Sequence, residues 1–130
     1  MALSILVVDD NPGVREAICR LVGQNLQYQI SGQAENGLVA VQKVAQLRPD
    51  IVLLDVRMPE MDGLQAAKRI KAFAPDTVII LLTMYDSEYI RESAAQLGIE
   101  KVLLKSGGTN SLMASLANVC GDAPQQGEPD

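Results

Sequence analysis

Four runs in this chain, 3–8 "LSILVV", 51–54 "IVLL", 78–82 "VIILL" and 102–104 "VLL", are almost wholly aliphatic and rich in β-branched residues. They are too short for buried helices, and they lack the polar alternation of a strand with one wetted face. Strands of that kind belong in a parallel sheet covered on both sides. A fifth run, 28–34 "YQISGQA", is more polar and alternating, and reads as an edge strand.

Stretches with helical spacing separate these runs. Val14, Ala17, Ile18, Leu21 and Val22 share one face; so do Leu38, Val41, Val44 and Ala45. The same holds for Leu64, Ala67, Ile70 and Phe73 or Ala74, then Ile90, Ala94 and Leu97, then Leu112, Leu116 and Val119. Pro12 suits a first helical turn, Gly98 a helix stop, and Asn36, Asp62, Asp86 and Thr109 or Ser111 suit helix caps. The pattern is βα repeated five times with short connections, which predicts an α/β domain with helices on both faces of a five-stranded parallel sheet. Its boundaries are expected at 1–120. Residues 121–130, "GDAPQQGEPD", are polar and aperiodic, and read as a disordered tail or the start of a linker.

In a parallel sheet, ligands bind at the carboxyl ends of the strands. Asp9 and Asp10 follow the first strand here, Asp55 ends the third, Thr83 the fourth and Lys105 the fifth. Singly, each has an ordinary explanation: a turn acid, a helix cap, a β-branched strand residue, a solvated lysine. Together, three acids, a hydroxyl and a lysine converge on one rim. Clustered carboxylates repel unless a cation is shared, and a hard cation such as Mg²⁺ suits oxygen ligands. A metal, a lysine and a hydroxyl donor form a set that stabilises a phosphoryl group, and a carboxylate can be its acceptor. Asp55, at the end of a buried aliphatic run, is the candidate acceptor.

Other chemistries are excluded by what is missing. The chain has no histidine and two cysteines, Cys19 and Cys120, in no ligand or pairing motif. That removes a His/Cys zinc site and the histidine-based nucleophile systems, and it suits a reducing, cytoplasmic compartment. There is no P-loop, and the acids of "DDNPG" would repel a dinucleotide pyrophosphate. A net charge of −5 argues against nucleic-acid or anionic-membrane binding by this segment. No run approaches a membrane span or a signal peptide.

The ordered motifs "VVDDN" at 7–11, "LLDVRMPEMDG" at 53–63, "LLT" at 81–83 and "LLK" at 103–105 resemble those of response-regulator receiver domains of bacterial two-component systems. The resemblance runs from about 3 to 119. It implies a flavodoxin-like sheet of order 2-1-3-4-5 with five helices. It also implies a phosphorelay switch rather than a turnover enzyme, assisting its own phosphorylation and slow dephosphorylation. Asp55 would accept a phosphoryl group from a histidine kinase. Asp10, Asp55 and the backbone carbonyl of Arg57 would bind Mg²⁺, with Asp9 acting through a water. Lys105 and Thr83 would contact the phosphoryl oxygens, and residues 58–59 and 62–63 would shape the loop. The face built from the fourth helix, fifth strand and fifth helix would then shift; faces of those helices are dimer sites in the family.

Three positions depart from the family pattern. Ser106 follows Lys105 where many receivers have proline, a feature shared with helix-turn-helix regulators of the LuxR/NarL type. Met84 follows Thr83 where a small residue is common, so it is expected to cover part of the site. Val102 stands where many receivers carry an aromatic switch, so the expectation is that Tyr85 or Tyr89 takes part of that role or that the coupling is weaker. The leading expectation is the receiver of a transcription regulator, with an output domain or protein target as partner. The alternative is a stand-alone or phosphorylation-independent binding module. A haloacid-dehalogenase-type phosphohydrolase would need an acid where Arg57 stands.

Overall fold

A computed structural model of the chain describes residues 2–58, 60–99 and 101–121, with the backbone alone at 109, 120 and 121. The elements alternate: β1 (Leu3–Val8), α1 (Pro12–Gly23), β2 (Tyr28–Ala34), α2 (Gly37–Leu47), β3 (Ile51–Asp55), α3 (Gly63–Phe73), β4 (Val78–Thr83), α4 (Glu88–Gln96), β5 (Lys101–Leu104), a 3₁₀ turn (Lys105–Gly107) and α5 (Gly108–Gly121). All neighbouring strands are parallel, in the order β2-β1-β3-β4-β5. This is the doubly wound, flavodoxin-like sheet. Order reverses on either side of β1, so β1 and β3 flank the switch point, where the strand ends open a crevice.

The two faces of the sheet fill two cores. On one, Leu6, Val8, Val52, Leu54, Ile79 and Leu81 pack with α2, α3 and α4. On the other, Ile5, Val7, Ile51, Leu53, Ile80 and Leu82 meet α1 and α5. Adjacent strand residues point to opposite faces, and both faces are covered, which is why these runs show no polar alternation. Edge strand β2 carries one extra residue: Ile5 pairs with Ile30 but Leu6 with Gly32, and the displaced Ser31 hydroxyl donates to the Ile5 carbonyl at 3.2 Å.

Several local expectations are corrected. The cap of α4 is Ser87, whose hydroxyl accepts from the Ile90 amide, and Asp86 instead pairs with Arg91 at 2.7 Å on the surface. Positions 109 and 111 both fall inside α5 rather than ahead of it, because the 3₁₀ turn leads into a helix that has already begun at Gly108. The buried line of α2 runs through Gly37, Ala40 and Val44, while Leu38 and Ala45 are exposed. Gly37 sits so close to the Met61 carbonyl that only a narrow helix face fits there. Ala17 is also exposed; of the two alternatives at the end of α3, the cap residue Ala74 is the buried one and Phe73 is exposed. Asn36 and Asp62 cap α2 and α3 as expected, and Gly98 adopts φ +80° just past α4. Pro59 of the 58–59 loop pair and the expected tail beyond Gly121 lie outside the described residues. Among the described residues, no helix is long and apolar enough to cross a membrane.

Candidate functional site

The β1–α1 turn builds the first wall of the crevice. Asn11 caps α1, its Oδ1 accepting from the Gly13 and Val14 amides at 2.9 and 3.1 Å. Pro12 at the first helical position lacks the amide that would otherwise need a partner. The Asn11 amide in turn donates to Asp9 Oδ1 at 2.9 Å. Asp9 is thus fully buried with its carboxylate directed at the rim, while Asp10 is exposed.

Asp55 is the last residue of β3 and is 3% exposed. The next residue is held through both of its backbone groups: the Val56 amide donates to the Leu82 carbonyl at 3.0 Å, and the Gly63 amide donates to the Val56 carbonyl at 2.8 Å. A side chain at Gly63 would fall on the Asp55 carbonyl oxygen and 2.8 Å from Val56 Cα. The loop between them therefore returns tightly against the strand end.

Lys105 enters from the far side of the sheet. Its Nζ donates to Asp9 Oδ2 at 2.8 Å and pairs with Asp55 Oδ1 at 3.2 Å. One carboxylate oxygen each from Asp9, Asp10 and Asp55 lie within 4.8 Å of one another. Three acids thus face one ammonium. Burial and the Asp9 charge push the Asp55 carboxyl from 3.8 up to about 6, against the pull of Lys105, and Asp10 adds to the rise. Burial disfavours the charge on Lys105, but its bond to Asp9 and the Asp55 and Asp9 charges outweigh that and hold the ammonium above its ordinary value. An all-oxygen donor set with surplus negative charge fits a hard divalent cation and not a soft one.

Thr83 closes β4, buried, beside the chain that carries Asp55. Its hydroxyl donates to the Tyr85 carbonyl at 3.2 Å and accepts from the Tyr85 amide at 3.3 Å, so here it serves its own loop. Asp10, Arg57, Met58, Thr83, Tyr85 and Tyr89 line one cavity of about 680 Å³ next to the acids. Met84 lies on the other side of β4, with Lys105, Val14 and Leu104 along an apolar groove of about 330 Å³ between α1 and α5. It is 57% exposed.

The rim expected from the sequence therefore gathers Asp9, Asp10, Asp55 and Lys105 directly, and Thr83 and Arg57 border it. Val102 does not join them. It pairs with Leu81 and lines a separate cleft with Arg91, Ala95 and Ile99. Two contributors escaped the sequence reading, the Asn11 cap and Arg15, whose guanidinium donates to the Asp9 carbonyl at 2.7 Å. The Asn-Pro pair at 11–12 carried the signal for the first.

Residues 5–117 match the family model described as "Response regulator receiver domain". The transcriptional regulatory protein YdfI of Bacillus subtilis is 44% identical over 112 residues, which are 86% of this chain and 52% of YdfI. The response regulator GacA of Pseudomonas protegens is 32% identical over 114 residues, 88% of this chain and 54% of GacA. The chain thus spans about half the length of the curated relatives it matches. The signal receiver domain of NarL from Mycobacterium tuberculosis superposes with a TM-score of 0.84 at 30% identity, covering 94% of this chain and 98% of that one.

Proposed function

Because the chain belongs to the response-regulator receiver family, in which the domain is a phosphorylation switch, we propose that Asp55 is the phosphoacceptor and that a histidine kinase is its donor. The observation that carries this reading is the Lys105 ammonium shared between Asp9 and Asp55 at 2.8 and 3.2 Å, beside a third acid. In the transfer, an Asp55 carboxylate oxygen forms a bond to phosphorus as the bond from phosphorus to the donor imidazole breaks. Asp10, Asp55 and the Arg57 carbonyl would hold Mg²⁺, with Asp9 acting through a water, and the ion would neutralise charge on the phosphoryl oxygens. Lys105 stands where its charge reaches those same oxygens.

The Thr83 hydroxyl must leave the Tyr85 carbonyl before it can donate to a phosphoryl oxygen. That exchange releases the backbone just ahead of α4. It gives the charge change at Asp55 a route to the α4–β5–α5 face, with Tyr85 moving in place of an aromatic at Val102. The output is transcription, the activity named for YdfI. With a net charge of −5 on residues 1–130, DNA contact falls to an output domain or a protein partner. On this reading the domain works in the cytoplasm and self-catalyses both its phosphorylation and its slow dephosphorylation.

The test is intact mass after incubation with Mg²⁺ and a small phosphodonor such as acetyl phosphate, beside Asp55→Asn and a magnesium-free control. The expected result is one added phosphoryl group that requires both Asp55 and the metal. Failure of the wild type both to gain mass and to bind fluoroberyllate would overturn the switch in favour of a phosphorylation-independent module. A second measurement concerns Met84, exposed beside Lys105. Met84→Ala is expected to admit water to the acyl phosphate and shorten its half-life about threefold, equivalent to roughly 0.7 kcal/mol in the hydrolysis barrier. An unchanged half-life would remove Met84 from the site.

A further inference from the structure

Asp9 is engaged at every polar atom. Its amide donates to the Ala34 carbonyl at 3.1 Å, Oδ1 accepts from the Asn11 amide at 2.9 Å, and Oδ2 accepts from Lys105 at 2.8 Å. The fourth bond, to its carbonyl oxygen, comes from Arg15 at 2.7 Å. Arg15 lies in the first turn of α1 and reaches back over the turn that precedes its own helix. Its Nε donates to Gln33 Oε1 at 3.0 Å, near the end of β2. Lys43 of α2 holds the same residue from the other side, donating to the Gln33 carbonyl at 2.6 Å. Residues from α1, β2 and α2 thus converge on the backbone behind the acids.

That carbonyl matters because it belongs to the peptide whose nitrogen is Asp10's. A bond on it fixes the peptide plane, and the plane sets the direction in which the Asp10 side chain leaves the backbone. Among the described residues, the Asp10 carboxylate has no hydrogen-bond partner of its own, and the side chain is exposed. Its aim is left to its backbone. We infer that Arg15 is a positioning residue for the divalent-cation site, acting through the Asp9–Asp10 peptide to direct the Asp10 carboxylate at the ion. This rests on the reading that the three acids bind such an ion.

A role in positioning and a role as a bare charge have opposite signs. Arg15 is a cation near a cation site, so if charge were its whole effect, removing it would tighten Mg²⁺ binding. If it aims Asp10, removing it weakens binding, as loss of a partner behind a metal ligand does. The experiment is calorimetric titration of Mg²⁺ into the wild type, Arg15→Met, Arg15→Lys and Gln33→Leu, with thermal melts in EDTA. The ¹³C resonance of the Asp9 carbonyl, read without metal, reports the bond itself. Arg15→Met is expected to weaken Mg²⁺ about tenfold and shift that resonance. Arg15→Lys, which keeps a donor for the carbonyl, should recover part of the affinity, and Gln33→Leu should stay near wild type. Binding as tight as wild type or tighter in Arg15→Met overturns the inference. If that variant does not fold, Arg15→Lys decides: weakening of about threefold supports the inference, and wild-type affinity overturns it. A wild type that binds no Mg²⁺ overturns the cation reading itself and this inference with it.

Discussion

Asp55→Asn will make the metal-free protein more stable at pH 8, by on the order of 2 kcal/mol. The carboxyl has a folded value of about 6, above the 3.8 of an unperturbed aspartate, because burial and Asp9 disfavour its charge. The folded state therefore holds the proton more tightly than the unfolded chain. The stability this contributes is fully present below about pH 4 and is lost as pH rises through about 6. Asparagine keeps the shape and never ionises, so the gap between variant and wild type should open across that interval and be small below it. The pull of Lys105 at 3.2 Å is already contained in that value; without it the carboxyl would stand higher still. Urea denaturation in EDTA at pH 4.5 and pH 8 measures it. Saturating Mg²⁺ should narrow or reverse the difference, since the wild type alone keeps all three carboxylates. A less stable Asp55→Asn at pH 8 in EDTA would mean that Lys105 and the local hydrogen bonds outweigh the repulsion.

The second large effect is expected at Gly63. An added Cβ would meet the Asp55 carbonyl oxygen and stand 2.8 Å from Val56 Cα, both backbone and neither free to swing aside. Gly63→Ala should cost about 3 kcal/mol, at the upper end of overpacking effects, and the phosphorylation rate should fall even where the fold survives. The loop cannot retreat without breaking the Gly63–Val56 bond at 2.8 Å, and that bond fixes the residue following Asp55. Gly23→Ala is the internal control. It is the last residue of α1, nothing lies within 4 Å of its added Cβ, and helix propensity should make the change neutral to stabilising by up to about 1 kcal/mol. Equal urea midpoints for Gly63→Ala and wild type would mean that the β3–α3 loop is looser than this geometry.

The strands were legible because their burial is two-sided. Runs such as Val78 to Leu82 carry no polar alternation to misplace, and their register follows once the sheet is parallel. The rim residues were legible for a related reason: a strand end fixes a side chain's place without any knowledge of the loops. Helix faces were harder. In α2 the pattern pointed to Leu38 and Ala45, whereas the tight approach to the Met61 carbonyl selects Gly37 and Ala40. Between Asp86 and Ser87, two good capping residues in succession, only the backbone decides. Arg15 was illegible in principle. Its role depends on a long side chain doubling back to a carbonyl six residues earlier, and spacing rules describe faces of a helix rather than reach.

The contact between Lys105 and Asp9 joins residues 96 apart in the chain. Synthesis runs from the amino end, so a growing polypeptide carries its acids long before the lysine that balances them has been made. Until β5 has emerged and docks beside β4, the three acids lack their lysine and repel one another unless a cation is shared. Closure of the sheet by β5 and delivery of the balancing lysine to the site are thereby one event in folding.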